Sequence, residues 1–208
     1  MTGAEKTVRA IEKAIVWLLF RICGQEEIKK IPNTGPLIIV FNHINMVEIL
    51  VLHWLLGQRR VTALVKSEAW RNPILSGYLN MFGAISVRRG RSDLTAVRRC
   101  IEVLKGNGIL AIAPEGTRSH DGRLGKGHSG VVVIAQKGRS PILPVAIYGV
   151  ENVWKNAMRL RRTSFHIVAG EAFCLPEGDR EELTDVIMNR LAELLPVGYR
   201  GRYSETLL

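Results

Sequence analysis

Cysteine is scarce in this chain of 208 residues: Cys23, Cys100 and Cys174 lie far apart and form no CxxC pair. Neither a disulfide framework nor a zinc ribbon is expected, and a reducing, cytoplasmic setting is. Long hydrophobic runs are missing as well. The longest near the N-terminus, Ala14 to Phe20, falls far short of the roughly 20 residues that a spanning helix needs. It does not end in a small-residue cleavage site, so we expect neither a transmembrane helix nor a secretory signal. Aromatic residues make up only 6% and none interleaves with the basic runs, which argues against stacking on nucleic-acid bases. Repeats, low-complexity tracts and Pro/Ser-rich linkers are absent, and with 47% hydrophobic content one continuous domain is expected. Acids are the minority charge, 19 against 29 lysines and arginines, for a formal +10. That excess attracts phosphate-bearing partners such as an anionic membrane surface or a phosphorylated small molecule.

Residues 1–30 form the most separable piece, an N-terminal helical segment ahead of an α/β domain over 31–208. In "TVRAIEKAIVWLLFRIC" the residues Val8, Ile11, Ile15, Leu18, Leu19 and Ile22 share one helical stripe. Val16, Trp17 and Phe20 lie outside it, so the C-terminal half is apolar nearly all round. Either the helix is sandwiched in the core, or its stripe packs on the domain and Trp17 and Phe20 enter a bilayer interface.

Beyond Pro32, β-rich runs alternate with helical stretches, the pattern of an α/β layered fold. Strands are predicted at 36–41, 61–65, 84–87, 109–113, 142–147 and 164–170, and helices near 46–56, 92–106, 128–138 and 179–195. The segment "WRNPILSGYLNMFG" reads either as a core helix broken at Pro73 or as an apolar contact lining an acyl groove. Several strands are apolar without alternation, which suits strands covered on both faces. The expected fold is a single α/β domain: a central mixed, mostly parallel sheet flanked by helices, with an amphipathic, membrane-contacting N-terminal helix.

Polar clusters sit at the ends of these strands, where open α/β sheets place their ligands. "PEGTRS" (114–119) offers backbone amides and one fixed cation, or is simply a sharp turn held by Glu115 and Thr117. In "SVRRG" (86–90), strand alternation sends Arg88 and Arg89 to opposite faces, so one of them faces inward, to hold a phosphate or a buried acid. "GKGHSG" (125–130) imitates a glycine-rich nucleotide loop, but the preceding strand ends a dozen residues earlier and Tyr148 stands where a kinase needs lysine. Neither a P-loop, a G-x-S-x-G elbow nor an H-E-x-x-H motif is present, and no metal is expected.

"FNHINMVEIL" (41–50) sets His43 and Glu48 into apolar surroundings. Asn45 through Glu48 reads as a capping box, with Asn45 as N-cap and Glu48 reaching back to a free amide. A histidine just before a helix, with a carboxylate one turn inside it, is also how an imidazole is oriented as general base. That pairing requires the chain to turn at His43.

Together these clusters resemble the glycerolipid acyltransferase family, typified by lysophosphatidic acid acyltransferases. Its pattern of N-H-x4-D, G-x-I-x-V-x-R, F-P-E-G-T-R-S, K-x-G and P-V is matched here in order. The matches are Asn42-His43 with Glu48, Gly83 to Arg89, Pro114 to Ser119, Lys126 with Gly127 close by rather than two places on, and Pro144-Val145. The departures are Glu48 in place of aspartate, Ala113 in place of phenylalanine, and Gly125 where a phenylalanine is usual.

The resemblance implies that His43 is the general base on a lysophospholipid hydroxyl attacking an acyl thioester, with Glu48 orienting it. It places Glu115, Gly116, Thr117 and Arg118 around the acceptor, Gly116 and its neighbouring amides at the oxyanion, and Arg89 and Lys126 near the acceptor's phosphate. The implied reaction is acyl transfer from acyl-CoA or acyl-carrier protein to lysophosphatidate, giving phosphatidic acid, with no cofactor beyond the co-substrate. It also favours bilayer contact for the N-terminal helix, hence a peripheral protein at the cytoplasmic face of the membrane. Glu48 and Ala113 leave open another lysophospholipid, glycolipid or amino-acid-lipid acceptor. A thioesterase using the same base and a non-catalytic anionic-lipid binder are also open.

Overall fold

The computed structural model describes residues 3–57, 59, 61–88 and 93–204. Its centre is strand β2 (Leu37–Phe41), five apolar residues that are all buried. Alternation sends Leu37, Ile39 and Phe41 into one core, with residues of α1 (Gly3–Leu19) and α2 (Val47–Leu55). Ile38 and Val40 enter a second core, built from α4 (Leu94–Lys105), α5 (Gly130–Gly138) and α7 (Arg180–Glu193). Strand β5 (Ile109–Ile112) divides in the same way. Coverage on both faces is why these strands read as unbroken apolar runs.

The remaining strands are β1 (Phe20–Cys23), β3 (Val61–Lys66), β4 (Ile85–Val87), β6 (Ile142–Tyr148) and β7 (Thr163–Ala169). They make one seven-stranded sheet in the order β1-β7-β6-β2-β5-β3-β4. From β6 to β4 every pair is parallel; β7 runs antiparallel to β6, and β1 runs parallel to β7. The expected α/β domain with a mixed, mostly parallel sheet is therefore present. All six predicted strands are found, with each end within one residue. Pro73 starts α3 (Pro73–Met81) rather than breaking it: it sits in the first turn, where its missing N–H costs nothing, and the Asn72 side chain accepts from the Leu75 amide. A short α6 (Val153–Met158) precedes β7.

The N-terminal segment corrects one expectation. Helix α1 ends at Leu19, and Phe20 begins β1, so the helical period does not carry through to Phe20 and Ile22. Phe20 is fully buried, edge-to-face on Phe165 with ring centroids 5.6 Å apart, and is not a bilayer residue. The buried side of α1 is Glu12 and Val16, while Ile11, Ile15 and Leu18 of the expected packing stripe are exposed beside Trp17.

What turns α1 this way is a buried polar cluster between three helices. Glu12 Oε1 lies 2.8 Å from Nδ1 of His53 on α2 and accepts from the Tyr78 hydroxyl of α3 at 2.5 Å. Burial, then the Glu12 hydrogen bond, push the Tyr78 hydroxyl well above the usual phenol range. The His53 ring also rests on Phe82, with centroids 4.0 Å apart. One partner of a buried charge cannot be removed without stranding the other. His53→Ala is expected to cost about 3–5 kcal/mol in urea unfolding, and Glu12→Leu combined with His53→Leu distinctly less.

Candidate active site

Sheet register explains the site. Strands β2 and β5 pair with Val40 opposite Ile112, so residues three further along each chain leave the sheet side by side. Those residues are His43 and Glu115. The His43 amide donates to Glu115 Oε1 at 2.9 Å, and the Gly125 amide donates to Glu115 Oε2 at 2.7 Å. One carboxylate thus ties the "FNHINMVEIL", "PEGTRS" and "GKGHSG" stretches together. The Ser119 amide adds a bond to the His43 carbonyl at 2.7 Å. Burial raises the Glu115 carboxyl above its ordinary 4.5, against the two amides, which favour the ionised form.

On the other side of β2, the Asn42 carboxamide continues the ladder to β6. Its Nδ2 donates to the Ile147 carbonyl at 2.7 Å and its Oδ1 accepts from the Ile147 amide at 2.8 Å. The turn that presents His43 is therefore anchored on both flanks.

Helix α2 starts at Val47, preceded by Met46. Asn45 does not cap it, because its side chain bonds the Met46 amide directly, at 2.8 Å. Glu48 does reach back, its Oε1 accepting from the Ile44 amide at 2.9 Å and from that of Asn45. The other oxygen, Oε2, lies 3.4 Å from His43 Nδ1, at ion-pair distance without the alignment of a hydrogen bond. Both roles read from the sequence, helix start and histidine partner, are divided between the two oxygens of one fully buried carboxylate. With Nδ1 turned to Glu48, Nε2 is the ring nitrogen on the side away from that carboxylate.

An open cavity of about 460 Å³ reaches Glu115, whose carboxylate holds the His43 amide, although neither His43 nor Glu48 is part of its lining. Glu115, Thr117, Arg118 and Lys126 all line it, joined by Arg123 and Arg202, which the sequence did not single out. Lys126 also pairs with the exposed Glu181 at 3.7 Å. Gly116 is not part of the lining. Its amide closes a turn onto the Ala113 carbonyl at 3.0 Å, whereas the N–H groups of Thr117 and Arg118 have no acceptor among the described residues. Gly116 adopts φ 64°, and a Cβ there would stand 3.1 Å from Cδ2 of the His128 ring. Arg89 lies outside the described residues; its neighbour Arg88 is exposed, its amide donating to Asp93 at 3.1 Å. Among the described residues no group of three or more His, Cys, Asp or Glu is placed to hold a metal ion. Asn42 stood in view next to His43, but Arg202 enters from the far C-terminal 3-10 turn with no local signal.

The His-carboxylate pair and the cationic cavity lie at the carboxyl ends of the parallel strands, where open α/β sheets place their ligands. The profile of the Acyltransferase family matches residues 21–148, more than half of the chain, and the chain belongs to that family. It is 29% identical over 197 residues to the 1-acyl-sn-glycerol-3-phosphate acyltransferase of Borreliella burgdorferi, covering 90% of this chain and 77% of that protein. Identity to the Bacillus subtilis protein of the same name is 25% over 174 residues, covering 80% and 84%. The chloroplastic enzyme of that name from Brassica napus is 30% identical over 129 residues, 61% of this chain, which spans only 37% of the plant protein. The fold matches the crystal structure of the 1-acyl-sn-glycerophosphate (LPA) acyltransferase PlsC from Thermotoga maritima, with TM-score 0.68 and 24% identity over 91% of this chain and 77% of that one.

Gly116→Ala adds both a left-handed alanine and the contact with His128. It is expected to cost about 1–2 kcal/mol in chemical denaturation. His128→Ala on that background should recover the contact part and leave the backbone part.

Proposed function

We propose that this chain transfers a fatty acyl group from an acyl thioester, acyl-CoA or acyl-carrier protein, to the free hydroxyl of lysophosphatidate, giving phosphatidate. The observation that carries this reading is the buried Glu48 carboxylate facing His43 Nδ1 at 3.4 Å, with Glu115 tying the His43 loop to a cavity lined by Arg118, Arg123, Lys126 and Arg202. The pair supplies a base, and the arginines supply forks suited to a phosphate.

In the proposed reaction His43 Nε2 accepts the hydroxyl proton as that oxygen attacks the thioester carbonyl. The imidazolium that forms is stabilised by Glu48, and the Thr117 and Arg118 amides face the oxyanion. Collapse of the tetrahedral intermediate breaks the C–S bond. The departing thiolate takes the proton from the imidazolium, so the products are ester and thiol and His43 is neutral again. Acceptor and product are bilayer lipids, and the protein works at the membrane surface, on the cytoplasmic face. Among the described residues no helix is long and apolar enough to cross a membrane. Contact falls instead to the exposed face of α1, with Trp17 69% exposed and Ile11, Ile15 and Leu18 around it.

Thiol release from palmitoyl-CoA in liposomes, with and without lysophosphatidate, tests the reading. Release that requires the lipid and falls by about 10²–10⁴-fold in His43→Ala is the expected result. Release without the lipid would make the protein a thioesterase, and unchanged release in His43→Ala would remove the proposed base.

A further inference from the structure

Helix α6 ends in a turn that spends backbone strain to expose an apolar side chain. The Leu160 amide donates to the Ala157 carbonyl at 3.0 Å and the Arg161 amide to the Asn156 carbonyl at 2.9 Å. This pair of bonds is a Schellman termination, whose left-handed position glycine usually fills. Here it is leucine, at φ 54°, and the side chain is 96% exposed. Nothing in the fold needs a leucine there, since a residue this exposed packs on little.

Two more large apolar residues are exposed on the same short helix, Trp154 at 57% and Met158 at 82%. Between and beyond them stand Lys155, Arg159 and Arg161, all exposed. Residues 152–170 contain four cations and no acid. Apolar side chains projecting through a cationic collar suit the headgroup and acyl boundary of an anionic bilayer, where both components find partners.

Position supports the same occupant. Strands β1 and β7 begin side by side, Phe20 opposite Thr163, so the end of α1 adjoins the turn after α6. Arg162 joins them: its Nε donates to the Phe20 carbonyl at 2.8 Å and its guanidinium lies 5.5 Å from the centroid of the Trp17 ring. Because β7 is antiparallel to β6, its first residues lie at the end of the sheet where β2 delivers His43. The two apolar patches and the base thus share one edge of the molecule, His43 three strands in from β1.

We propose that the turn comprising Trp154, Met158 and Leu160 is a second membrane-seating element, which with α1 lays the His43 edge of the sheet onto an anionic phospholipid surface. The purpose assigned to this contact rests on the functional reading above, but the contact itself is measured without substrate. The probe is flotation with phosphatidylcholine vesicles, with and without about one third phosphatidylglycerol. Leu160→Gly, and separately Trp154→Ser with Met158→Ser, are expected to lower partitioning about tenfold on the anionic vesicles. Leu160→Gly should at the same time leave Tm unchanged or raise it by about 2–4 °C, because it relieves the left-handed leucine. Loss of vesicle binding together with a gain in stability is an outcome that unfolding cannot imitate. Arg159→Glu with Arg161→Glu should weaken binding to anionic vesicles and leave the weaker binding to neutral ones unchanged. Partitioning unchanged in Leu160→Gly overturns the proposal, as does a native protein whose patch variants alter self-association and not vesicle binding. A protein that binds vesicles through this patch yet transfers no acyl group would leave the surface in place and sink only the functional reading.

Discussion

The site depends on a single buried carboxylate. Glu115 takes the His43 amide on one oxygen and the Gly125 amide on the other, and so fixes the loop after β2 to two points of the connection between β5 and α5. Neighbouring parallel strands bring His43 and Glu115 abreast, but register alone leaves two flexible connections; the carboxylate makes them one rigid surface. Burial opposes its charge while the two amides favour it, the balance expected of a group that organises backbone in a dry environment. Gly125 must be small for this: a Cβ there would stand 3.1 Å from the oxygen that its own amide binds.

Glu48 shows the same economy. One oxygen serves the first turn of α2 and the other faces His43, so the longer side chain in place of aspartate still spans from the helix to the imidazole. The same helix carries His53 near its other end, where Glu12 and Tyr78 fasten α1 and α3. That cluster decides which face of α1 is buried. By drawing Glu12 inward it leaves Trp17 and Leu18 exposed at the edge where the base lies. Packing inside the domain and the outward apolar surface are consequences of one buried polar contact.

The central strands β2, β5 and β6 are legible because each is a run of apolar residues, covered on both faces, that ends at a polar cluster, while β7 is legible from its alternation. Strand β1 is not, since "FRIC" continues the apolar pattern of the helix before it and only its pairing with β7 makes it a strand. The facing of α1 is not legible for a related reason: the apolar stripe predicts the buried side, while the side that packs carries a glutamate whose partners lie 41 and 66 residues away. Of the residues that the motifs single out, His43 and Glu48 stand 3.4 Å apart, and Glu115, Thr117, Arg118 and Lys126 line one cavity. The division of work between the Glu48 oxygens, the engagement of the Gly116 amide, and the arrival of Arg202 in the cavity depend on long-range placement that no local pattern encodes.

The measurement that bears most directly on this account is steady-state kinetics of Glu115→Gln with lysophosphatidate varied. If Glu115 organises the loops and does not itself hold the acceptor, kcat falls about tenfold or more while KM for the lipid stays within about twofold. The amide of glutamine can accept from only one of the two N–H groups, so the tie between the His43 loop and Gly125 is broken while the cationic cavity keeps its side chains. A KM that rises about tenfold with kcat unchanged would contradict the account and return Glu115 to the role of a substrate ligand.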